Sequence, residues 1–280
     1  MKCIKVLSSS KDYPTKKYIF ENKGKSVEAS YVNRGNKNIV CVSCMFGCPV
    51  KCKFCASGKT YYGNLTSKNM ISIVNSIIKK EVKNSNKILI SFMGSGEPLL
   101  NLEEVLKSIS YFHSKIANSH FAISVSGTKI NNLSKLAEYS VQSKIPIKIQ
   151  LSLHSPFDSE RKTLIPTTSN IDEIFKMINK YKKVSNNPVE LNYILLNKVN
   201  DSVKHAKALA SLIKKYKFDI KINEYHNVGL GFTESQNKTN FIGILNKLSI
   251  FPELYSTDGQ DINAACGQLV SQIRKSKVPK

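Results

Sequence analysis

Acidic side chains and arginine are scarce in this chain. Its 280 residues include 20 Asp and Glu against 42 Lys and Arg, and arginine occurs only at positions 34, 161 and 274. The resulting formal net charge of +22 sets up a field that attracts polyanions, so nucleic acid is the expected partner. A lysine-, asparagine- and isoleucine-rich profile is also what an AT-rich genome produces, but the field acts whatever its origin. No apolar run approaches the ~20 residues that span a bilayer, so no membrane association is expected. The start, MKCIKVLSSS, has too short an apolar segment for a signal peptide. Internal repeats, linkers and low-complexity stretches are missing too, which leaves one catalytic domain of a size common for α/β barrels. The seven cysteines are odd in number and mostly clustered, unlike a secreted disulfide framework. A reducing cytoplasm is the expected location.

What is present is concentrated in CVSCMFGCPVKCKFC, residues 41–55, which holds five of the seven cysteines. Within it Cys48, Cys52 and Cys55 are spaced C-x3-C-x2-C. That triplet is one ligand short of an ordinary four-thiolate site. A 4Fe–4S cube held by three thiolates keeps one iron open, and open metal positions are where chemistry occurs. The alternative is zinc, with Cys41 and Cys44 pairing with Cys52 and Cys55 as C-x2-C-x7-C-x2-C and Cys48 left over. The cysteines alone leave both readings open.

Around this loop the pattern alternates. Residues 1–38 read as a small hairpin-like β extension, with strands near 3–7, 18–20 and 27–32. Glu28 lies in the last of these, where an outward-facing strand carboxylate is the ordinary reading. From Ile39, strands are expected at 39–43, 87–93, 120–126, 146–154, 188–196 and 218–223, with a short one near 250–256. Helices are expected at 68–83, from Leu102 (capped by Asn101), and at 129–142, 171–184, 202–216 and 237–248, with SPFDSERKTLIP as a polar loop. Strict alternation argues for a parallel α/β sheet or barrel with right-handed crossovers, an extension at 1–38 and a catalytic domain at 39–280. In such folds the site is built by loops after the strand C-termini. The cysteine loop, GSGEP, Ser126-Gly127, Ser152, His154 and Asn227 all fall there.

Taken in order, CVSCMFGC-x3-C-x2-C-ASG (41–58), NLT (64–66), MGSGEPLLN (93–101), SVSG (124–127), LSLHSPFDSERKTLIP (151–166), VNDS-x2-HA (199–206) and GQDINAACGQL (259–269) resemble the RlmN/Cfr-type radical S-adenosylmethionine (SAM) RNA adenine methyltransferases. The similarity covers about 28–272, nearly the whole chain, and sets zinc aside. It implies a radical SAM partial (β/α)6 barrel with Cys48, Cys52 and Cys55 holding a 4Fe–4S cluster. SAM would be held by Gly96, Glu97, Ser126, Ser152, His154 and Asn227. In the family a cysteine matching Cys266 carries a methyl group to an adenine carbon (C2 or C8), and one matching Cys41 resolves the enzyme–RNA adduct through a disulfide with Cys266. Glu28 matches the family's base-contacting glutamate.

The resemblance further implies rRNA or tRNA as partner, a flavodoxin or ferredoxin as electron donor, and a monomer. Departures are Cys44 in place of Ser, Val125 in place of Thr, a shortened TYYGNLT loop without its Arg, Asp258 in place of an Arg, and no counterpart of the family's N-terminal helical RNA-binding domain. Two other functions are weighed: the same mechanism on a smaller RNA or nucleotide, and a non-catalytic metal-stabilised RNA-binding protein. The second would need neither Cys41 nor Cys266.

Overall fold

The computed structural model describes residues 1–9, 15–83, 87–255 and 262. Four strands come first: β1 (Lys2–Ser8), β2 (Thr15–Asn22), β3 (Lys25–Asn33) and β4 (Lys37–Val42), each antiparallel to the one before. The β2–β3 connection is two residues, Lys23 (φ 49°) and Gly24 (φ 74°), between the paired Asn22 and Lys25. Positive φ at both positions is the tight hairpin turn whose twist matches the flanking strands, and glycine takes it without steric cost.

Next come β5 (Met45–Gly47) and β6 (Tyr61–Asn64), which pair only with each other, then α1 (Ser67–Glu81). The chain then alternates through β7 (Lys87–Phe92), α2 (Leu102–Lys115), β8 (Ser119–Val125), α3 (Asn132–Ser143) and β9 (Ile147–Ser152). It continues through α4 (Asp158–Leu164), α5 (Ile171–Ser185), β10 (Val189–Leu195), α6 (Val203–Tyr216), β11 (Asp219–Glu224), α7 (Lys238–Lys247) and β12 (Glu253–Tyr255). From β4 onward every neighbouring pair in the main sheet is parallel, and the ten strands lie in the order β1-β2-β3-β4-β7-β8-β9-β10-β11-β12.

Because each parallel strand is added on the same side of its predecessor, right-handed crossovers put all the helices on one face and curl the sheet into a partial barrel. The strand sequences agree. Val40 and Val42, Ile88, Ile90 and Phe92, Phe121, Ile123 and Val125, Ile147, Ile149 and Leu151, and Leu191 and Tyr193 are buried on one face and share one core with the helices. The registered neighbours Cys41–Ser91–Ala122, Ser124–Gln150–Glu190 and Ser152–Asn192–Lys221 alternate with them on the concave face. Parallel sheets usually bury apolar residues on both faces; a polar concave face belongs to a barrel built to hold something polar. Near its lower end Glu190 accepts from Gln150 at 2.6 Å and pairs with Lys148 at 3.0 Å and Lys221 at 3.4 Å. Among the described residues no helix is long and apolar enough to cross a membrane.

Two local expectations are corrected. The stretch read as a polar loop contains α4, with Asp158 and Glu160 in its first turn, where carboxylates favour the helix N-terminus. At seven residues it is too short to show helical periodicity. Asn101 stands at the start of α2 but makes no side-chain cap there. Its amide donates instead to Cys44 O at 2.8 Å and Leu65 O at 2.9 Å, tying the cysteine loop to the segment before α1.

Candidate active site

The cysteine loop leaves the end of β4 and is pinned from several sides. Cys44 N and Met45 N both donate to Ser95 O, at 3.0 and 3.1 Å. Ser43 Oγ donates to Glu28 O at 2.6 Å and accepts from Ser95 N at 2.8 Å, and Ser95 Oγ meets Ser57 Oγ at 3.0 Å. This run of serines links β3, the loop after β7 and the residues that follow Cys55. Cys48 N is shared between Ser57 O and Thr60 O at 3.0 and 2.9 Å. On the other side Cys48 and Val50 pack with Leu164, Ile165, Leu196 and Tyr225 in a small second core, and Lys53 N donates to Leu164 O at 2.9 Å.

The three triplet thiols lie on one loop, Cys48 buried and Cys52 and Cys55 half-buried. Burial pushes Cys48 up to about 12, Cys52 well above the ordinary thiol range, and Cys55 upward. Cys52 also feels Cys55 and Cys48 as like charges, as Cys48 feels Cys55. Such thiols stay protonated until a metal centre takes the proton's place. Among the described residues no three His, Cys, Asp or Glu side chains converge as ligands of a single ion. The donor set, three soft thiols on one loop, fits a cube that takes one thiolate on each of three irons.

Above the loop lies GSGEP. Gly96 (φ 114°) packs so closely that a Cβ would fall 2.7 Å from Cys44 Sγ and 2.8 Å from Met45 Cγ, so no side chain fits. Glu97 is 3% exposed, accepts from Leu99 N at 3.2 Å and Ser126 N at 2.8 Å, and is pushed up to about 7 by burial against the pull of those bonds. Ser126 is buried, with Oγ donating to Thr128 Oγ1 at 3.0 Å. Ser152 Oγ lies 3.4 Å from Ser124 Oγ on the concave face. His154 (φ 57°) is buried; its Nδ1 accepts from Ile194 N at 3.2 Å and its ring meets Phe54 edge-on at 4.9 Å, which joins the end of β9 to the cysteine loop. Burial, with Arg161 nearby, pushes His154 down to about 3, so the imidazole is neutral. Asn227 is exposed, and its Oδ1 accepts from Gly229 N at 2.8 Å within its own loop.

Cys41 and Glu28 share the concave face. Cys41 is registered with Ser30 on β3, two residues from Glu28. Glu28 is 4% exposed, not the outward-facing carboxylate of an ordinary strand, and its Oε2 lies 2.8 Å from Lys17 Nζ in an ion pair. That oxygen accepts no hydrogen bond, so the contact is one of charge. Loss of water pushes Cys41 up to about 11; Glu28 adds to the effect and Lys17 opposes it. Cys44 is buried against Gly96 instead. Cys266 and Asp258 lie outside the described residues.

Four residues of this neighbourhood were not singled out by sequence: Lys17, Phe54, Tyr225 and Arg161. Lys17 carried a faint signal, a lysine directly before the apolar run Tyr18–Ile19–Phe20. Arg161 is one residue of a polar run, and nothing local marks it as fully buried.

Comparison with known proteins fits this geometry. The profile of the radical SAM superfamily matches residues 42–210. A crystal structure of a radical SAM methyltransferase from Sphaerobacter thermophilus superimposes with a TM-score of 0.87 at 26% identity, covering 95% of this chain and 80% of that one. The chain belongs to the radical SAM superfamily, whose members use a 4Fe–4S cluster and SAM. Over 256 residues it is 35% identical to a probable dual-specificity RNA methyltransferase RlmN of Prochlorococcus marinus, covering 89% of this chain and 73% of the relative. It is 33% identical to the dual-specificity RNA methyltransferase RlmN of Buchnera aphidicola, over 92% of this chain and 74% of that protein. Within the superfamily it is a member of the RlmN family of RNA methyltransferases.

Proposed function

We propose that this protein methylates an adenine carbon in rRNA or tRNA through a methyl-cysteine intermediate on Cys266. One observation carries the reading: Cys41 and Glu28 share the concave face at the strand end from which the loop of Cys48, Cys52 and Cys55 departs. Cys48, Cys52 and Cys55 would hold the cluster, and Gly96, Glu97, Ser126, Ser152, His154 and Asn227 would hold SAM. Bound there, the two together supply the radical chemistry.

The chain's own groups supply the rest. An adenine sp² carbon is too weak a nucleophile to take a methyl group from SAM directly, whereas the Cys266 thiolate is not. Neutral His154 can orient polar atoms without adding a charge, and Glu97, pushed up to about 7, can do so in either protonation state near neutral pH. Glu28, held by Lys17, presents a carboxylate oxygen to the base. In resolution the Cys41 thiolate attacks the Cys266 sulfur: an S–S bond forms and the bond between that sulfur and the methylene breaks. The ring carbon gives up its proton, and the methylene stays on the base and takes up a proton to become the methyl group. A flavodoxin- or ferredoxin-class protein would supply electrons, and the enzyme would act as a cytoplasmic monomer.

The test is mass spectrometry of both partners after anaerobic incubation of reconstituted protein, SAM, reductant and RNA. One added methyl on the Cys266 peptide and a C-methyladenine in the RNA are expected. Cys41→Ala should accumulate protein joined to RNA. RNA methylated by a preparation whose Cys266 stays unmodified would overturn the methyl-cysteine route.

A further inference from the structure

Arg161, on α4, is fully buried. Its Nε donates to Leu153 O at 2.9 Å, its Nη2 to Ser126 O at 2.6 Å and Ser152 O at 3.0 Å, and its Nη1 to Ser169 O at 3.5 Å and to the hydroxyl of Thr168. All of these acceptors are neutral. Among the described residues no carboxylate lies within ion-pair distance of the guanidinium. Water-free burial of a charge is costly unless something of opposite sign answers it. Burial pulls the guanidinium down to about 10, and the groups that would answer its charge once ionised are first Cys52, then Asp158 and Glu97.

The helix that carries Arg161 is also the support of the cysteine loop, through Leu164 O and the packing of Leu164 and Ile165 on Cys48 and Val50. One residue therefore touches the loops after β8 and β9 and places its charge on the helix that braces the cysteine loop. A fixed positive charge in a dry site favours whichever state of a nearby redox centre is more negative, and cluster potentials follow local charge and solvent exposure.

We infer that Arg161 is a positioning residue for both cofactors: through the Ser126 and Ser152 carbonyls it fixes the two loops assigned to SAM, and its charge, buried on the helix that braces the cysteine loop, makes a three-thiolate cluster easier to reduce. This rests on Cys48, Cys52 and Cys55 being the cluster ligands. Packing alone would predict altered stability with no change in potential.

The test compares reconstituted wild-type protein with Arg161→Gln and Arg161→Lys, by paramagnetic-resonance redox titration and by equilibrium dialysis of SAM. In Arg161→Gln the reduced-to-oxidised ratio at a fixed potential falls about tenfold, a midpoint shift of ~59 mV for one electron. Arg161→Lys keeps the charge and restores the wild-type midpoint. It binds SAM about tenfold more weakly, because one ammonium cannot reproduce a fork that reaches four carbonyls. Equal midpoints in wild type and Arg161→Gln overturn the electrostatic role alone, as does a Lys variant shifted as far as the Gln variant. Wild-type SAM affinity in Arg161→Lys overturns the positioning role, and this arm stands even if Arg161→Gln does not fold. A wild-type protein that takes up no iron overturns both this inference and the proposed function.

Discussion

Glu97 places a carboxyl where a carboxylate is costly, and that has a consequence for pH. Its folded pKa, about 7, lies above the ordinary 4.5 because burial outweighs the two backbone donors. A group raised on folding adds stability below its unfolded pKa and loses that contribution as pH rises through the folded one. Wild type should therefore lose roughly 3 kcal/mol relative to Glu97→Gln between pH 4.5 and 7. Urea unfolding of the two apoproteins at pH 5 and pH 8 measures it, and parallel curves would show that another group sets the slope. The cysteines make a separate prediction. Cys48→Ala, Cys52→Ala and Cys55→Ala should each lose iron and sulfide after anaerobic reconstitution, while Cys41→Ala and Cys44→Ala keep them; full iron in Cys52→Ala would break the assignment. At this scale the sequence was informative wherever chemistry and spacing coincide, as in the triplet and GSGEP. It was silent on Arg161 and the partner of Glu28, because burial of a single charged residue is decided by distant strands and helices. Cys41 and Glu28 fall between these cases: each looks unexceptional until the β3–β4 register puts them on one face.

Among the elements, the parallel strands were legible because apolar residues recur at every second position, here with a polar set between them. The long helices were legible from their 3.6-residue period. The element read incorrectly, α4, has seven residues and only Leu164 and Arg161 buried, so it has no periodic apolar face to detect. Asn101 shows how a correct residue type can suggest the wrong job, since asparagine before a helix usually caps it. Its two bonds to the carbonyls of Cys44 and Leu65 predict a larger effect than capping would. Asn101→Ala should cost roughly 2–3 kcal/mol, since it orphans two buried carbonyls, against about 1 kcal/mol for a lost cap. Asn101→Asp separates the two accounts, because aspartate is a good cap but cannot donate to a carbonyl. Urea unfolding should find it as unstable as the alanine variant; near-wild-type stability would restore the capping role.

For the molecule as a whole, the charge of +22 needed no structure to be read, but the surface beside the cysteine loop did. Tyr61 and Tyr62 on β6 are 44% and 45% exposed, and Lys25 donates to Tyr62 O at 2.9 Å. Exposed rings next to lysines suit stacking of unpaired bases. RNA affinity should fall by roughly 0.7 log units per log unit of salt for each single-stranded phosphate contacted. Tyr61→Ala with Tyr62→Ala should weaken binding by about 1–3 kcal/mol per lost stack without changing that slope. Binding titrations across a salt series read both, and indifference to salt would show that charge is not what holds the RNA. The order of the strands has a consequence of another kind. In the main sheet spatial order follows chain order from β1 to β12, so during synthesis each emerging strand finds its partner already made. A nascent chain released as far as β9 already contains every strand pair up to β8–β9. Sheet growth can therefore keep pace with translation, one crossover at a time, without long-range searching by strands that wait unpaired.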